Sequence, residues 1–191
     1  MHLPSMTDTR LGNMTTIEAT VQSAATGDEA AFAHLVVEHH ASMSRVAFVI
    51  CGDAESARDA VQNAWAAAWH RIRSLRDPSQ VRPWLVAIAA NEARQMMRRR
   101  RRIAIVDLSD ELAEAYRADA DTSVELLDLH RALRGLKPED RALIAMRYAA
   151  GLDSTEIARQ LGMSASGVRS RLSRIIEHLR ADLALEPGTE A

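Results

Sequence analysis

Two stretches of this chain carry the donors that a polyanion would need. In one, Ser166, Arg169, Ser170, Ser173 and Arg174 recur at helical spacing in the N-terminal half of a segment. Hydroxyls and guanidinium forks bond phosphate oxygens and base edges, and arginine matches the paired acceptors of guanine. Arg171, on the same segment, is placed to face a neighbouring phosphate. In the other, Asn91 precedes the unbroken run Arg98 to Arg102. An amide can bond a base edge while arginines such as Arg98, Arg99 and Arg100 hold phosphates; a helix-surface amide and a solvated helix end are the competing readings. Covalent chemistry has less support. The acids are densest in one connecting segment rather than in a cluster that could hold catalytic metal, and no nucleophile sits beside a base. His39, His40 and the scattered histidines lack ligand-like spacing, so no metal is assigned. Cys51, the single cysteine, cannot form an internal disulfide and reads as a small buried residue at a helix end.

The elements that must position these side chains are helical. Ile157, Ala158 and Leu161 form the inward face of a short helix, Gly162 permits a tight turn, and Val168 and Leu172 lock the following helix across it. That is a helix-turn-helix, against the competing reading of an ordinary helical hairpin with a solvated arginine face. Around it, helices are expected over Leu126 to Leu136, Pro138 to Ala149, Ser154 to Leu161 and Ala165 to about Leu183, with Pro138 in a first turn and Gly151 and Gly162 at helix ends. Earlier in the chain, Asp28 caps a stripe of Phe32, Leu35, Val36, His39, Met43, Val46, Ala47 and Ile50. Gly52-Asp53 stops that helix and caps a second, with Ala57, Val61, Ala64, Trp65, Ala68 and Ile72 inward. A loop from Ser74 to Pro83 leads to a third helix that turns Trp84, Leu85, Ile88 and Ala89 inward and exposes Asn91. Trp65 and Trp84 are therefore expected in the core. Only Ile103 to Val106 looks β-like, too short and isolated for a sheet. The fold class is all-α.

With 191 residues, 47% hydrophobic and 26% charged, the chain can fill one medium or two small cores, which excludes collagen, a disordered tail and a disulfide mini-protein. The net charge of −2 conceals opposed blocks. Residues 27–102 hold 12 basic against 8 acidic side chains, 107–128 hold 1 against 8, and 129–180 hold 10 against 5. All the basic side chains are arginine except Lys137, which a codon bias would also produce. The expected organisation is a mobile tail over 1–26 with a helical turn near Ile17 to Val21, a helical domain over 27–102, an acidic flexible linker over 103–124, a helix-turn-helix domain over 125–183 and a tail over 184–191. Met14 is a second candidate for the first residue. No stretch approaches the roughly 20 apolar residues of a membrane span and no signal peptide opens the chain, so a cytoplasmic protein is expected.

The segment from Leu133 to Leu183, with Leu136-Lys137-Pro138, Arg141, Arg147-Tyr148, Gly151-Leu152, Glu156-Ile157-Ala158 and Gly167 to Leu172, resembles the fourth conserved region of extracytoplasmic-function sigma factors. Gly27 to Arg102 resembles their second region through Gly27-Asp28, Ala31-Phe32, Leu35, Gly52-Asp53, Ala57, Asp59, Val61-Gln62, Trp69, Trp84-Leu85, Ile88-Ala89, Asn91 and Arg98-Arg99. The resemblance implies a non-enzymatic bacterial initiation factor without cofactor. It would bind core RNA polymerase through the beta-prime clamp helices and the beta flap, read minus-thirty-five DNA with the C-terminal domain and hold melted minus-ten DNA with the N-terminal one. It also implies that the Ser74 to Pro83 loop and the next helix capture a flipped base, that the acidic linker threads a cationic polymerase channel, and that an anti-sigma factor is a partner. Asp59 and Gln62 are the implied polymerase contacts. The chain departs from the family at Arg58 and Asn63, where acids are usual, at Ala90, where arginine is, and at Gln95, where aspartate is. The competing functions are a stand-alone helix-turn-helix regulator, which would need a dimer on two half-sites, and a nucleic-acid enzyme such as a recombinase or nuclease.

Overall fold

Aspartates set where two helices of the first half begin. The computed structural model describes residues 6–106 and 124–184, and every regular element among them is helical. Helix α1 spans Met6–Ala25 and α2 spans Glu29–Cys51, with the Asp28 carboxylate accepting from the Ala31 N–H at 3.1 Å. Gly52 ends α2 at φ 79°, a left-handed conformation that glycine takes without penalty. The next residue, Asp53, accepts from the Ser56 N–H at 2.7 Å and starts α3, Ala54–Arg71. Single turns at Ile72–Ser74 and Pro78–Gln80 carry the chain to α4, Val81–Val106. Helix α4 starts two residues before Pro83, which falls in a first turn where its missing N–H costs nothing. It continues past Arg102 through Ile103 to Val106, since β-branching disfavours helix by only tenths of a kcal/mol per residue.

Helices α2, α3 and α4 pack on one another. Leu35, Met43, Ile50, Val61 and Leu85 are at most 2% exposed, each contributing about 1.5–3 kcal/mol by leaving water. Phe32 meets the half-buried Trp65 and Trp69 edge-on, at ring distances of 5.7 and 4.8 Å, and Trp84 is also half-buried. Cys51 is buried, and burial followed by the charge of Asp53 pushes its thiol up to about 12, so it stays protonated.

Of the tail expected over 1–26, residues 6–25 are helical. Helix α1 packs on α2, with Val21 and Ala24 buried. Ile17, Val21 and Ala24 follow helical spacing, a stripe too narrow to stand out in a sequence but wide enough to dock. The linker expected over 103–124 lies outside the described residues from 107 to 123, as do residues 1–5 and 185–191 of the tails.

The second half contains α5 (Val124–Gly135), α6 (Pro138–Ile144), α7 (Ser154–Leu161) and α8 (Ala165–Ala184). The helix expected to run to Ala149 instead widens into a π turn over Ala145–Ala149, closed by the Ala150 N–H on the Ala145 carbonyl at 3.0 Å. The π turn and α6 contact α2 and α4, and buried apolar residues of both halves belong to one cluster.

His39 is 5% exposed, and its Nε2 has no partner among the described residues. Burial, aided by the charge of Arg82 and opposed by Glu38, holds its pKa below the ordinary 6.5. The unfolded chain therefore takes up a proton that the folded chain refuses. Stability is full above about pH 6.5 and falls as pH drops below it. The melting temperature of the wild type should decline more between pH 7 and 5 than that of His39→Gln; parallel curves in scanning calorimetry would discard this assignment.

Candidate nucleic-acid interface

A capping box fixes the start of the helix-turn-helix. The Asp153 carboxylate accepts from the Thr155 and Glu156 N–H groups at 2.7 and 2.9 Å, and Glu156 accepts from the Asp153 N–H at 2.7 Å. Those amide bonds hold the Asp153 carboxyl below the usual carboxylate range. Gly162, at φ 64°, turns the chain out of α7, and the Ser164 hydroxyl accepts from the Gly167 N–H at 3.0 Å to begin α8. Ile157 and Ala158 on α7 pack against the side of α8 that buries Val168, Leu172, Ile175 and Leu179. The opposite side of α8 then carries Ser166, Arg169, Ser170, Ser173 and Arg174, all exposed. Ser173 donates to Glu177 at 3.3 Å, and Arg174 donates to the Ser170 carbonyl at 3.4 Å, both contacts that leave the face open.

Arg171 is placed differently. Half-buried, it turns inward and donates to Asp140 of α6 at 2.8 Å. It braces α8 against α6 rather than standing on the open face of α8. Beside Arg169 the structure adds residues that the sequence reading did not assign to the site: Arg147, Tyr148, Ser154 and Arg180 line one groove with it. Tyr148 is 62% exposed, large for an aromatic ring. The signal in the sequence was the Arg147-Tyr148 pair, but only the π turn brings it to the edge of α8.

In the first half the arginine run is split by its partners. Arg98 pairs with Glu139 of α6, a hydrogen bond that holds the Glu139 carboxyl low. Arg100 donates to Asp53 at 2.8 Å and to the Ser56 hydroxyl at 2.6 Å. Burial opposes ionisation of Asp53, but the Ser56 and Arg100 donors outweigh it and keep its pKa below the ordinary value. Arg99 and Arg101 are exposed. Asn91 is half-buried rather than exposed, and it accepts from Arg94 at 3.0 Å. Asp59 and Gln62 stand exposed on α3, opposite the buried Ala57, Ala60, Val61 and Ala64. Among the described residues no group of His, Cys, Asp or Glu is arranged to hold a metal ion, and no helix is long and apolar enough to cross a membrane.

Two family models match this chain: Sigma-70 region 2 over residues 35–103 and Sigma-70, region 4 over residues 126–179. The chain is 31% identical over 169 residues to the ECF RNA polymerase sigma factor SigL of Mycobacterium tuberculosis, covering 86% of this chain and 96% of that one. It is 30% identical over 168 residues to a probable RNA polymerase sigma factor, RfaY, of Xanthomonas campestris, spanning 84% of this chain but only 42% of RfaY. Among solved structures it resembles the sigma factor RpoE of Bartonella quintana in complex with the anti-sigma factor NepR, with a TM-score of 0.66, 25% identity, and coverage of 82% of this chain and 98% of that one.

The Arg171–Asp140 pair implies a stability contrast. Arg171→Ala should lower the unfolding free energy by about 1 kcal/mol, whereas Arg169→Ala on the open face should change it by less than about 0.5 kcal/mol. Urea titrations of the two variants check this, and equal midpoints would remove the bracing role.

Proposed function

Because this chain belongs to the extracytoplasmic-function sigma factors, non-enzymatic initiation factors that direct bacterial RNA polymerase to promoters, we propose that its two halves divide the promoter between them. The open face of α8 reads duplex DNA at the minus-thirty-five element, with Arg169 and Arg174 as the charged readers and Ser166, Ser170 and Ser173 as hydroxyl donors. The observation that carries this assignment is that all five are exposed on the side of α8 opposite its buried stripe. Arg171 contributes through its hold on α6.

In the first half, the Ser74 to Pro83 segment, α4 and the residues Asn91, Arg98, Arg99 and Arg100 form the face for melted minus-ten DNA. Extruding a base costs a few kcal/mol, which pocket contacts and stacking offset. Asp59 and Gln62 form the contact to the polymerase clamp, and the six carboxylates of residues 107–121 suit passage through a cationic channel. The RpoE structure contains an anti-sigma factor, and a partner of that kind is proposed for this chain too. A stand-alone regulator is not favoured by the pairing of region 2 with region 4 in one chain. Run-off transcription with core polymerase, with and without this protein, tests the whole reading; a dependence of initiation on the protein is expected.

Two substitutions test its parts. Arg169→Ala and Arg174→Ala in the full chain should each weaken minus-thirty-five duplex binding, by about 1–3 kcal/mol if the side chain reads a base, and with a salt slope shallower by about one if it holds a phosphate. Titrations at several salt concentrations separate these, and unchanged affinity would move the contact elsewhere. Asp59→Arg should reduce retention on core polymerase at unchanged helicity; full co-purification would exclude Asp59 from that contact.

A further inference from the structure

Helix α1 lies ahead of the residues matched by the region 2 model, which begin at 35, yet it reaches the segment assigned to the extruded base. Besides α2, it contacts the single turns at Ile72–Ser74 and Pro78–Gln80. The last carbonyls of α1 are each satisfied. Those of Gln22, Ser23 and Ala24 accept from the Thr26, Asp28 and Gly27 N–H groups at 3.2, 3.2 and 3.0 Å, and Gly27, at φ 101°, leads into the Asp28 cap of α2. The Ala25 carbonyl takes its bond from a distant side chain: Arg73 Nε donates to it at 3.0 Å, across 48 positions. The carbonyl end of a helix favours a cation, and an Arg73 guanidinium nitrogen lies 3.9 Å from where a Cβ on Gly27 would stand.

Arg73 immediately precedes the Ser74 to Pro83 segment, so this latch sits at the root of that loop. Inside the loop, the Ser74 hydroxyl donates to the Arg71 carbonyl at 2.7 Å, and the Asp77 carboxylate accepts from the Ser79 N–H and hydroxyl at 3.1 and 2.6 Å. Ile72 and Val81 are buried at its two ends, and Arg76, Asp77 and Ser79 stay exposed between them. Gln80 also accepts from Arg159 of α7. The loop's own bonds span at most three residues and shape single turns. How the two turns stand relative to each other depends on the surface behind them, and α1 packs on both.

We propose that α1 is a positioning element of the minus-ten site. Docked by Ile17, Val21 and Ala24 and latched by Arg73, it holds the Ser74 to Pro83 segment in the shape that accepts the extruded base, and so sets how strictly that base is selected. This rests on the reading of that segment as the base-capturing one. A loop already ordered loses little freedom on binding, and a fixed pocket rejects a wrong base that a pliable one would accommodate. Val21 is 2% exposed, so its part is played through the protein and not by touching the strand.

The test uses the full chain and single-stranded oligonucleotides of about twelve nucleotides selected from a randomised pool, so that the preferred base at each position is found by experiment. The quantity compared is the affinity ratio between the preferred strand and strands with one base replaced. In Arg73→Ala and in Val21→Ser that ratio should fall by at least about five-fold, because the pocket is no longer held in one shape. Amide hydrogen exchange over residues 74–81 should quicken by at least about ten-fold in both, with exchange over 57–68 of α3 unchanged. Arg73→Lys keeps a cation for the Ala25 carbonyl and should retain most of the selectivity, and the double variant should lose no more than either single one, since both act through one docked helix. Binding of a minus-thirty-five duplex should be the same in all.

A direct contact from Arg73 to a phosphate gives a different pattern: Arg73→Ala would weaken all strands alike with a salt slope shallower by about one, and Val21→Ser would stay selective. That pattern overturns the positioning role, as does full selectivity in both variants. If Val21→Ser fails to fold, Arg73→Ala and its lysine counterpart decide. A selective wild type whose variants remain selective sinks the role of α1 alone, whereas a wild type that binds the pool without base preference sinks the reading of the segment and this role with it.

Discussion

Close approach of α2, α3 and α4 through small side chains is the constraint on which the rest depends. Ala47, Ala60, Ala64, Ala68, Ala89 and Ala93 are all fully buried, and alanine at a helix contact allows axes toward the short end of the usual 8–10 Å. Such contacts hold the arginine-bearing α4 rigidly, but each alanine removes little apolar surface from water. With no strand among the described residues and no internal disulfide, the first half gains further burial from added surfaces. Helix α1 supplies Val21 and Ala24, and the π turn and α6 supply a face against α2 and α4. The ordered N-terminal helix and the contact between the halves are thus two answers to one shortage.

What could be read from the sequence was local. Asp28, Asp53 and Asp153 each accept from amides two or three residues ahead, and Gly52 and Gly162 end helices where a left-handed residue is needed. The open face of α8 follows from the turn before it and the buried stripe of Val168 and Leu172. The features that escaped depend on residues far apart in the chain. Arg171 finds Asp140, Arg98 finds Glu139 and Arg100 finds Asp53 across 31, 41 and 47 positions, so no spacing rule could pair them. Asn91 was expected in solvent for the same reason, since its half-buried state depends on tertiary packing. The widening at Ala145–Ala149 left no mark in a pattern that fits an ordinary helix equally well.

These pairings sort the arginines by what they are available to do. Arg171 and Arg100 are tied to carboxylates within their own halves, and losing either would loosen a helix end or a helix contact. Arg45, Arg82, Arg98 and Arg159 are tied across the halves, to partners that separate if the halves do. Arg99, Arg169 and Arg174 remain exposed. A charge count alone treats all of these alike, although the last group meets a nucleic acid without first giving up a carboxylate or a contact across the halves.

That ordering bears on how a chain with net charge −2 can bind a polyanion selectively. The acids that cancel the arginines are not spread evenly: eight lie within residues 107–128, while single carboxylates such as Asp140, Glu139 and Asp53 each hold a specific guanidinium. Long-range attraction to DNA is therefore weak for the chain as a whole and becomes strong only where an arginine is uncovered. Binding then depends on which guanidinium groups face outward, which is a property of conformation rather than of composition. A basic chain of the same fold would adhere to any duplex, whereas here the internal carboxylates restrict adhesion to the faces that the helix packing leaves open.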